Sequence, residues 1–319
     1  MKIVRSGKER LRVSACRMLA FFSSLILLPS AFASEYRISE INSWRDVISD
    51  KDDSKKRSLV GSFSLENGNK CSLIVVPSRL RVAPALASSG LGTSKTAPTS
   101  KIVQNNKARF GVNGGYFNLS NGESTSYVAL NGVVCADPTK NFALTENPKL
   151  KPFLTQIYNR SEIRFLRAKA KLPYVQIATH NEPLPPGREL EASLQGGPRL
   201  LPELTAEKEA FVRTEADGKQ VDSIGVGRTA ARTAVGLTQD GYLLIVAVAG
   251  KGQDEFSSGL TLVDLARLLK NLGAVEAVNL DGGTSTTMIQ GFPKDKSQGQ
   301  MLIGRTPETR VRSALLVFD

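Results

Sequence analysis

Histidine is nearly absent from this chain of 319 residues, which has one, together with three cysteines and one tryptophan. So few imidazoles and thiols exclude a Cys/His zinc cluster, an iron–sulfur site and a haem-thiolate centre of the usual ligand sets. A divalent cation held by carboxylates and carbonyls stays open, and nothing in the sequence requires a cofactor. Aromatic residues make up 6%; no basic run is interleaved with them and no helix-turn-helix pattern occurs, so nucleic acid is not an expected partner. The apolar run Met18–Leu28 has 11 residues, short of the roughly 20 that a membrane-spanning helix needs. No G-x-S-x-G elbow appears, which disfavours a serine hydrolase. What is present, 41% hydrophobic and 23% charged residues, is a globular balance with ample material for a core.

The apolar run has a meaning of its own. Lys2, Arg5, Lys8, Arg10, Arg12 and Arg17 precede it against a single Glu9, and Ala31-Phe32-Ala33 follows it. A charged segment, an apolar segment and an A-x-A site in that order form an export signal. Residues 1–33 are therefore expected to be a signal peptide, residues 34–319 the mature domain, and the destination periplasmic or secreted. An uncleaved anchor or a buried core helix is the alternative. Without the leader the formal charge of +12 falls to +7, from 36 basic and 29 acidic residues. That balance suits an anionic substrate or an envelope surface. Export also leaves only Cys71 and Cys135, which an oxidising compartment would let pair. Such a disulfide would contribute about 4 kcal/mol in the chain-entropy picture; two buried free thiols are the other reading.

Along the mature chain, turn signals alternate with short apolar runs. Val60–Leu65 and Cys71–Val76 flank Asn67-Gly68, and Tyr127–Leu130 and Val133–Cys135 flank Asn131-Gly132, the dipeptide that favours tight hairpins. Tyr36–Asp53 reads as a short lead-in, and Ala85–Ser100 as a surface loop. Inside that loop Gly90–Thr96 imitates a phosphate-binding loop, but no glycine precedes Lys95 and no apolar strand leads in. Asn147–Lys171 mixes helical spacing with charge. Tyr174–Ala178 is a short strand that ends at His180, next to Glu182.

The C-terminal third is the most regular. Ala230–Thr238 and Tyr242–Val248 form strands around Gln239-Asp240-Gly241. Thr261 caps a helix with Asp264 at its third position and a stripe of Leu262, Leu265, Leu268, Leu269 and Leu272, closed by Gly273. Asp264 is thus assigned to the cap, not to catalysis. Val275–Leu280 then delivers Asp281 at a strand end, followed by Gly282, Gly283, Thr284 and Ser285. An acid set against a glycine pair and hydroxyls is a plausible ligand cradle, whose backbone N–H groups could face an anion or sugar hydroxyls.

Three segments in order, Asn113-Gly114-Gly115-Tyr116-Phe117, Arg232-Thr233-Ala234-Val235-Gly236 and Asn279-Leu280-Asp281-Gly282-Gly283, resemble the phosphodiester glycosidase family. The helix stretch Gly259–Gly273 and the final strand Ser313–Phe318 fit the same pattern. Thr125-Ser126-Tyr127, Asn159-Arg160-Ser161-Glu162, His180-Asn181-Glu182-Pro183 and Gly196-Gly197-Pro198 resemble a bacterial branch of it. One departure is Thr284, where the family usually has Gly or Ser.

The resemblance implies an exported hydrolase that cleaves the glycosidic bond of a sugar-1-phosphodiester. An ordinary glycosidase needs a second carboxyl to protonate a poor leaving group. A phosphate ester leaves with far less help, so one carboxylate at the sugar and an arginine at the phosphate suffice. Asp281 and Arg232 are the candidates for those roles, and His180 or Glu182 for a base that activates water. Asn113, Gly114, Gly115, Thr233, Gly197, Gly282, Gly283 and Ser285 are the expected substrate contacts. Two other readings are open: a metal-assisted phosphodiesterase that breaks P–O, and a non-catalytic envelope glycan-binding or assembly module. The expected architecture is a single α+β domain with hairpin-rich, largely antiparallel sheets and a few packed helices.

Overall fold

Leu243–Ala249 is buried at every position, and its alternate residues serve two different cores. Leu244, Val246 and Val248 face one, and Leu243, Ile245 and Ala247 the other. A strand covered on both faces reads as an unbroken apolar run, as this one does. It lies at the centre of a seven-stranded sheet in the order Glu35–Tyr36, Leu59–Leu65, Lys70–Val76, Leu243–Ala249, Arg232–Thr238, Ala274–Asn279, Arg199–Leu201. Only the first pair is parallel. The computed structural model describes residues 35–48, 56–87, 95–168, 171–250, 258–291 and 299–319. The expected signal peptide, residues 49–53 of the lead-in and residues 88–94 of the loop lie outside them.

Two further sheets have five strands each and are wholly antiparallel. One runs Lys171–Thr179, Ser161–Ala168, Glu189–Gln195, Val128–Leu130, Val133–Ala136. The other runs Gln300–Ile303, Met288–Gln290, Phe110–Asn113, Ser313–Phe318, Arg81–Leu86. Their inner residues, among them Phe110, Val112, Ile163, Leu194 and Leu315, share one core with Val235, Ile245 and Val278 of the large sheet. The opposite face of the large sheet is covered by the helix Leu262–Asn271, whose Leu262, Leu265, Leu268 and Leu269 are fully buried. The fold is therefore the expected mixture of mostly antiparallel sheets and few helices.

The turn chemistry works as anticipated. Gly68 (φ 79°), Asn131 (φ 53°), Gly132 (φ 77°) and Gly241 (φ 85°) occupy the left-handed region that tight hairpins demand. Thr261 accepts from the Asp264 N–H, and its hydroxyl donates to the Asp264 carboxylate at 2.9 Å. Asp264 thus completes the cap through the Thr261 side chain instead of the cap backbone.

Several boundaries differ. Helical structure in Asn147–Lys171 ends at Tyr158, and Ser161–Ala168 is a strand whose Ile163 and Phe165 are core residues. Its charged residues, of which Glu162 and Arg164 are themselves buried, conceal it in the sequence. Of the expected loop Ala85–Ser100, the first residues belong to the strand Arg81–Leu86 and the last begin the helix Thr99–Asn105. The Cys71–Cys135 pairing is also corrected. Both are free thiols, Cys71 buried and Cys135 exposed. Cys71 faces the helix-covered core of the large sheet, whereas Cys135 sits on the edge strand Val133–Ala136 of another sheet.

Candidate active site

Strand ends from two sheets meet at Asp281. Ala274–Asn279 pairs antiparallel with Arg232–Thr238, with Ala234 opposite Asn279, so the end of the first lies beside the start of the second. The backbone continues that pairing: Leu280 N–H donates to the Thr233 carbonyl at 2.8 Å, and Asp281 N–H to the Gly114 carbonyl at 3.1 Å. Past the acid the chain folds back against the same strand. Gly283 (φ 57°) donates to the Ala231 carbonyl at 2.8 Å, and a Cβ on Gly282 would stand 2.9 Å from that same oxygen. The glycine pair is what lets this turn lie flat on the arginine strand.

Asn113 ties the three segments together. Its Nδ2 donates to the Asp281 carbonyl at 2.6 Å, and its Oδ1 accepts from Thr233 Oγ1 at 2.7 Å and from Thr287 N–H at 3.1 Å. Asn113 and Thr233 are both fully buried. Gly114 and Gly115 carry the chain between two close neighbours, since added Cβ atoms would lie 2.4 Å from Ser313 Oγ and 2.3 Å from the Gln195 carbonyl. Ser285 is buried as well. These five expected substrate contacts are internal struts that set the position of Asp281.

A cleft of about 140 Å³ opens in front of them, lined by Asp281, Gly282, Gly283, Arg232, Tyr116 and the Ser223–Ile224 segment. Asp281 Oδ1 accepts from Gly282 N–H at 2.9 Å. With Gly282 and Gly283 N–H both engaged internally, the backbone anion cradle expected from the glycine pair is replaced by the carboxylate and its neighbours. The Tyr116 hydroxyl donates to the Gly197 carbonyl at 2.9 Å and accepts from Asn279 Nδ2 at 2.7 Å. Burial, then the Asp281 carboxylate, push this phenol well above the ordinary tyrosine range, against the pull of Arg160 and Arg232. It is a neutral donor-acceptor post in the wall of the cleft. Tyr116 is not among the site residues expected from sequence, although a hydroxyl two residues beyond Gly114 was there to be read.

Arg232 lies at the cleft but its donors are spent. Nε donates to the Leu260 carbonyl, Nη1 to Ile224, and Nη2 to Gly225 and Arg228. Four of the five guanidinium N–H groups thus hold backbone, so the expected paired grip on a phosphate is corrected to a fixed positive charge that shapes the Ile224–Arg228 turn. Burial lowers its pKa, and Tyr116 and Asp222 oppose that shift.

His180 and Glu182 stand elsewhere, beyond the strand Lys171–Thr179, and neither lines this cleft. His180 Nδ1 is 2.9 Å from Glu162 Oε2, and its ring stacks on Tyr127 at 3.8 Å with the planes 3° apart. Glu162 is buried and receives Arg164 Nε at 2.7 Å. Arg164 in turn donates to the carbonyls of Glu182, Thr179 and His180. The carboxylate partner of the histidine is therefore Glu162 from the neighbouring strand, while Glu182 is exposed. Among the described residues no group of three His, Cys, Asp or Glu side chains is placed to hold a metal.

This fold is shared with solved structures of low sequence identity. A hypothetical protein from Synechocystis is similar with a TM-score of 0.52 at 16% identity, over 80% of this chain and 63% of that one. The catalytic domain of zebrafish N-acetylglucosamine-1-phosphodiester alpha-N-acetylglucosaminidase, auto-inhibited by its pro-peptide, is similar with a TM-score of 0.56 at 16% identity, over 82% of each chain. A putative exported protein from Burkholderia pseudomallei gives 0.56 at 15% identity, over 79% of this chain and 74% of that one. The profile of the phosphodiester glycosidase family matches residues 106–318, and the chain belongs to that family. It is also 36% identical over 76 residues to the mouse N-acetylglucosamine-1-phosphodiester alpha-N-acetylglucosaminidase, a stretch that is 22% of this chain and spans 14% of the mouse enzyme's length.

Proposed function

We infer that the chain is an exported hydrolase that cleaves the sugar–oxygen bond of a glycosyl-1-phosphodiester. The observation that carries this reading is Asp281: a carboxylate at the mouth of a small cleft, held by its backbone through Asn113 and Gly114. A carboxylate so placed can stabilise or attack the oxocarbenium-like carbon as the bond to the phosphate breaks. The conjugate acid of the departing phosphate ester is strong, so the phosphate leaves without a protonating acid. Arg232 supplies a fixed positive charge beside it. Tyr116, neutral and doubly bonded, presents a rigid polar wall to the sugar without competing for the proton balance. The names of the mouse and zebrafish relatives suggest N-acetylglucosamine as the first sugar to try. The charged and apolar segments before Ala33 support export.

His180, whose Nδ1 is held by Glu162, stands outside the Asp281 cleft, so the expected water-activating role is not carried into this mechanism. The test of the reaction class is turnover of the methyl phosphodiester of N-acetylglucosamine-1-phosphate in oxygen-18 water. Label in the released sugar is the expected result. Label in the phosphate would establish P–O cleavage and a phosphodiesterase, and saccharide binding without turnover would establish a glycan-binding module.

A further inference from the structure

Arg232 leaves an anionic substrate short of donors, and a second arginine has them to spare. Arg160 is 8% exposed. Its guanidinium lies 3.7 Å over the centroid of Phe211, and Nε donates to the Glu209 carbonyl at 3.0 Å. The two Nη groups, with four N–H donors between them, have no protein acceptor among the described residues and are not sealed from solvent. The nearest carboxylate is not available to them. Glu209 already accepts from Ser161 N–H and Oγ, from Arg199 N–H and from Thr205 Oγ1. A nine-tenths-buried guanidinium with both ends unpartnered is costly to keep unless an anion visits it.

Two ring contacts join that guanidinium to Tyr116 of the cleft wall, while Arg160 and Phe211 themselves lie behind the residues that line the Asp281 cleft. Phe211, over which it lies, also packs against the Tyr116 ring with centroids 5.3 Å apart. Gly197 brings the two walls together: its carbonyl accepts the Tyr116 hydroxyl, and at φ 103° its missing Cβ leaves Phe211 2.9 Å from where that atom would be. The positive charges of Arg160 and Arg232 both act on the Tyr116 hydroxyl, as does Asp281. Tyr116 is also the foremost group opposing the burial that lowers the Arg160 pKa to about 10. The geometry points to Arg160 as the residue that grips the phosphate of the substrate, through its paired Nη donors, with Phe211 as the plate that fixes the fork. This rests on the glycosidase reading of the Asp281 cleft and names the group that reads its substrate's charge. The planar fork suits a phosphate in two-point contact, which a lysine cannot copy.

Isothermal titration of the full chain with phenyl phosphate tests the assignment, with each variant's fold checked by circular dichroism and thermal melting. Wild type and Asp281→Asn are expected to bind. Arg160→Lys is expected to lose roughly tenfold or more in affinity, the worth of a charge-assisted contact. Guanidinium at millimolar concentration is expected to restore binding to Arg160→Ala, which a merely structural arginine would not allow. A folded Arg160→Lys protein that binds like wild type overturns the assignment, and so does a wild type that binds no phenyl phosphate. A measurement on wild type alone covers variants that fail to fold: phenylglyoxal is expected to modify Arg160, and phenyl phosphate to protect it. No modification, or no protection, overturns the assignment. Turnover of a glycosyl phosphodiester is scored separately. Turnover with indifferent Arg160 variants removes this assignment and keeps the glycosidase, whereas Arg160-dependent phosphate binding without turnover does the reverse.

Discussion

The side-chain amide of Asn113 donates to the backbone carbonyl of Asp281 at 2.6 Å, from a residue 168 positions earlier in the chain. The same side chain accepts from Thr233 and Thr287, so one buried amide joins all three segments that resemble the family. Asn113→Ala is expected to cost about 2–3 kcal/mol, since it orphans buried donors. Asn113→Asp puts an acceptor against the Asp281 carbonyl and should lower kcat by roughly 10²-fold through misplacement of the acid. Urea melts and turnover rates on the same preparations check both.

Asp281→Asn keeps an acceptor for the Gly282 N–H and removes the charge that faces the cleft. Turnover should fall by roughly 10³-fold or more, with a melting temperature close to that of wild type. A folded, active Asp281→Asn protein would sink the mechanism.

The two glutamates near His180 should behave oppositely. Glu162 is buried against Arg164, with both side chains 3% exposed. Glu162→Ala leaves a buried guanidinium without its carboxylate and is expected to destabilise by about 3 kcal/mol or more. Glu182 is exposed, and among the described residues its carboxylate has only long contacts, to Gln176 at 3.5 Å and Thr179 N–H at 3.4 Å. Glu182→Ala should stay within about 0.5 kcal/mol of wild type. Thermal melts separate the two.

Cys71 and Cys135 should alkylate at different stages. Iodoacetamide is expected to label Cys135 in the native protein and Cys71 only after denaturation; a Cys71–Cys135 peptide in a non-reducing digest would contradict the structure. Burial pushes the Cys71 thiol above its ordinary value of 9.0, so the folded state holds its proton where the unfolded chain releases it. The resulting stability is complete below about pH 9 and is lost as pH rises above it, by about 1.4 kcal/mol per pH unit. Cys71→Ala should flatten that alkaline slope in denaturant titrations read at pH 9 to 11.

Much of the site was legible from residue order. Asp281 at the end of an apolar strand and glycines 282 and 283 after it could be placed because a strand end followed by a flexible pair is a local event. The hairpins at Gly68, Gly132 and Gly241 were legible for the same reason, the need for positive φ. Ser161–Ala168 was not, because its alternation lapses at Leu166-Arg167 and its second face is charged; Glu162 and Arg164 neutralise each other inside the protein, a pairing no spacing rule reveals.

The sequence by itself determined which short segments form strands, turns and the capped helix, since those follow from backbone freedom and hydrophobic period within a few residues. It also determined that an acid, an arginine and an asparagine each accompany a glycine-rich or strand-end segment. Only the tertiary structure decided their roles. Asn113 became a buried clasp and Arg232 a holder of four backbone carbonyls, while Arg160 kept its donors. A polar side chain's role depends on which partners reach it first, and those partners come from distant parts of the chain.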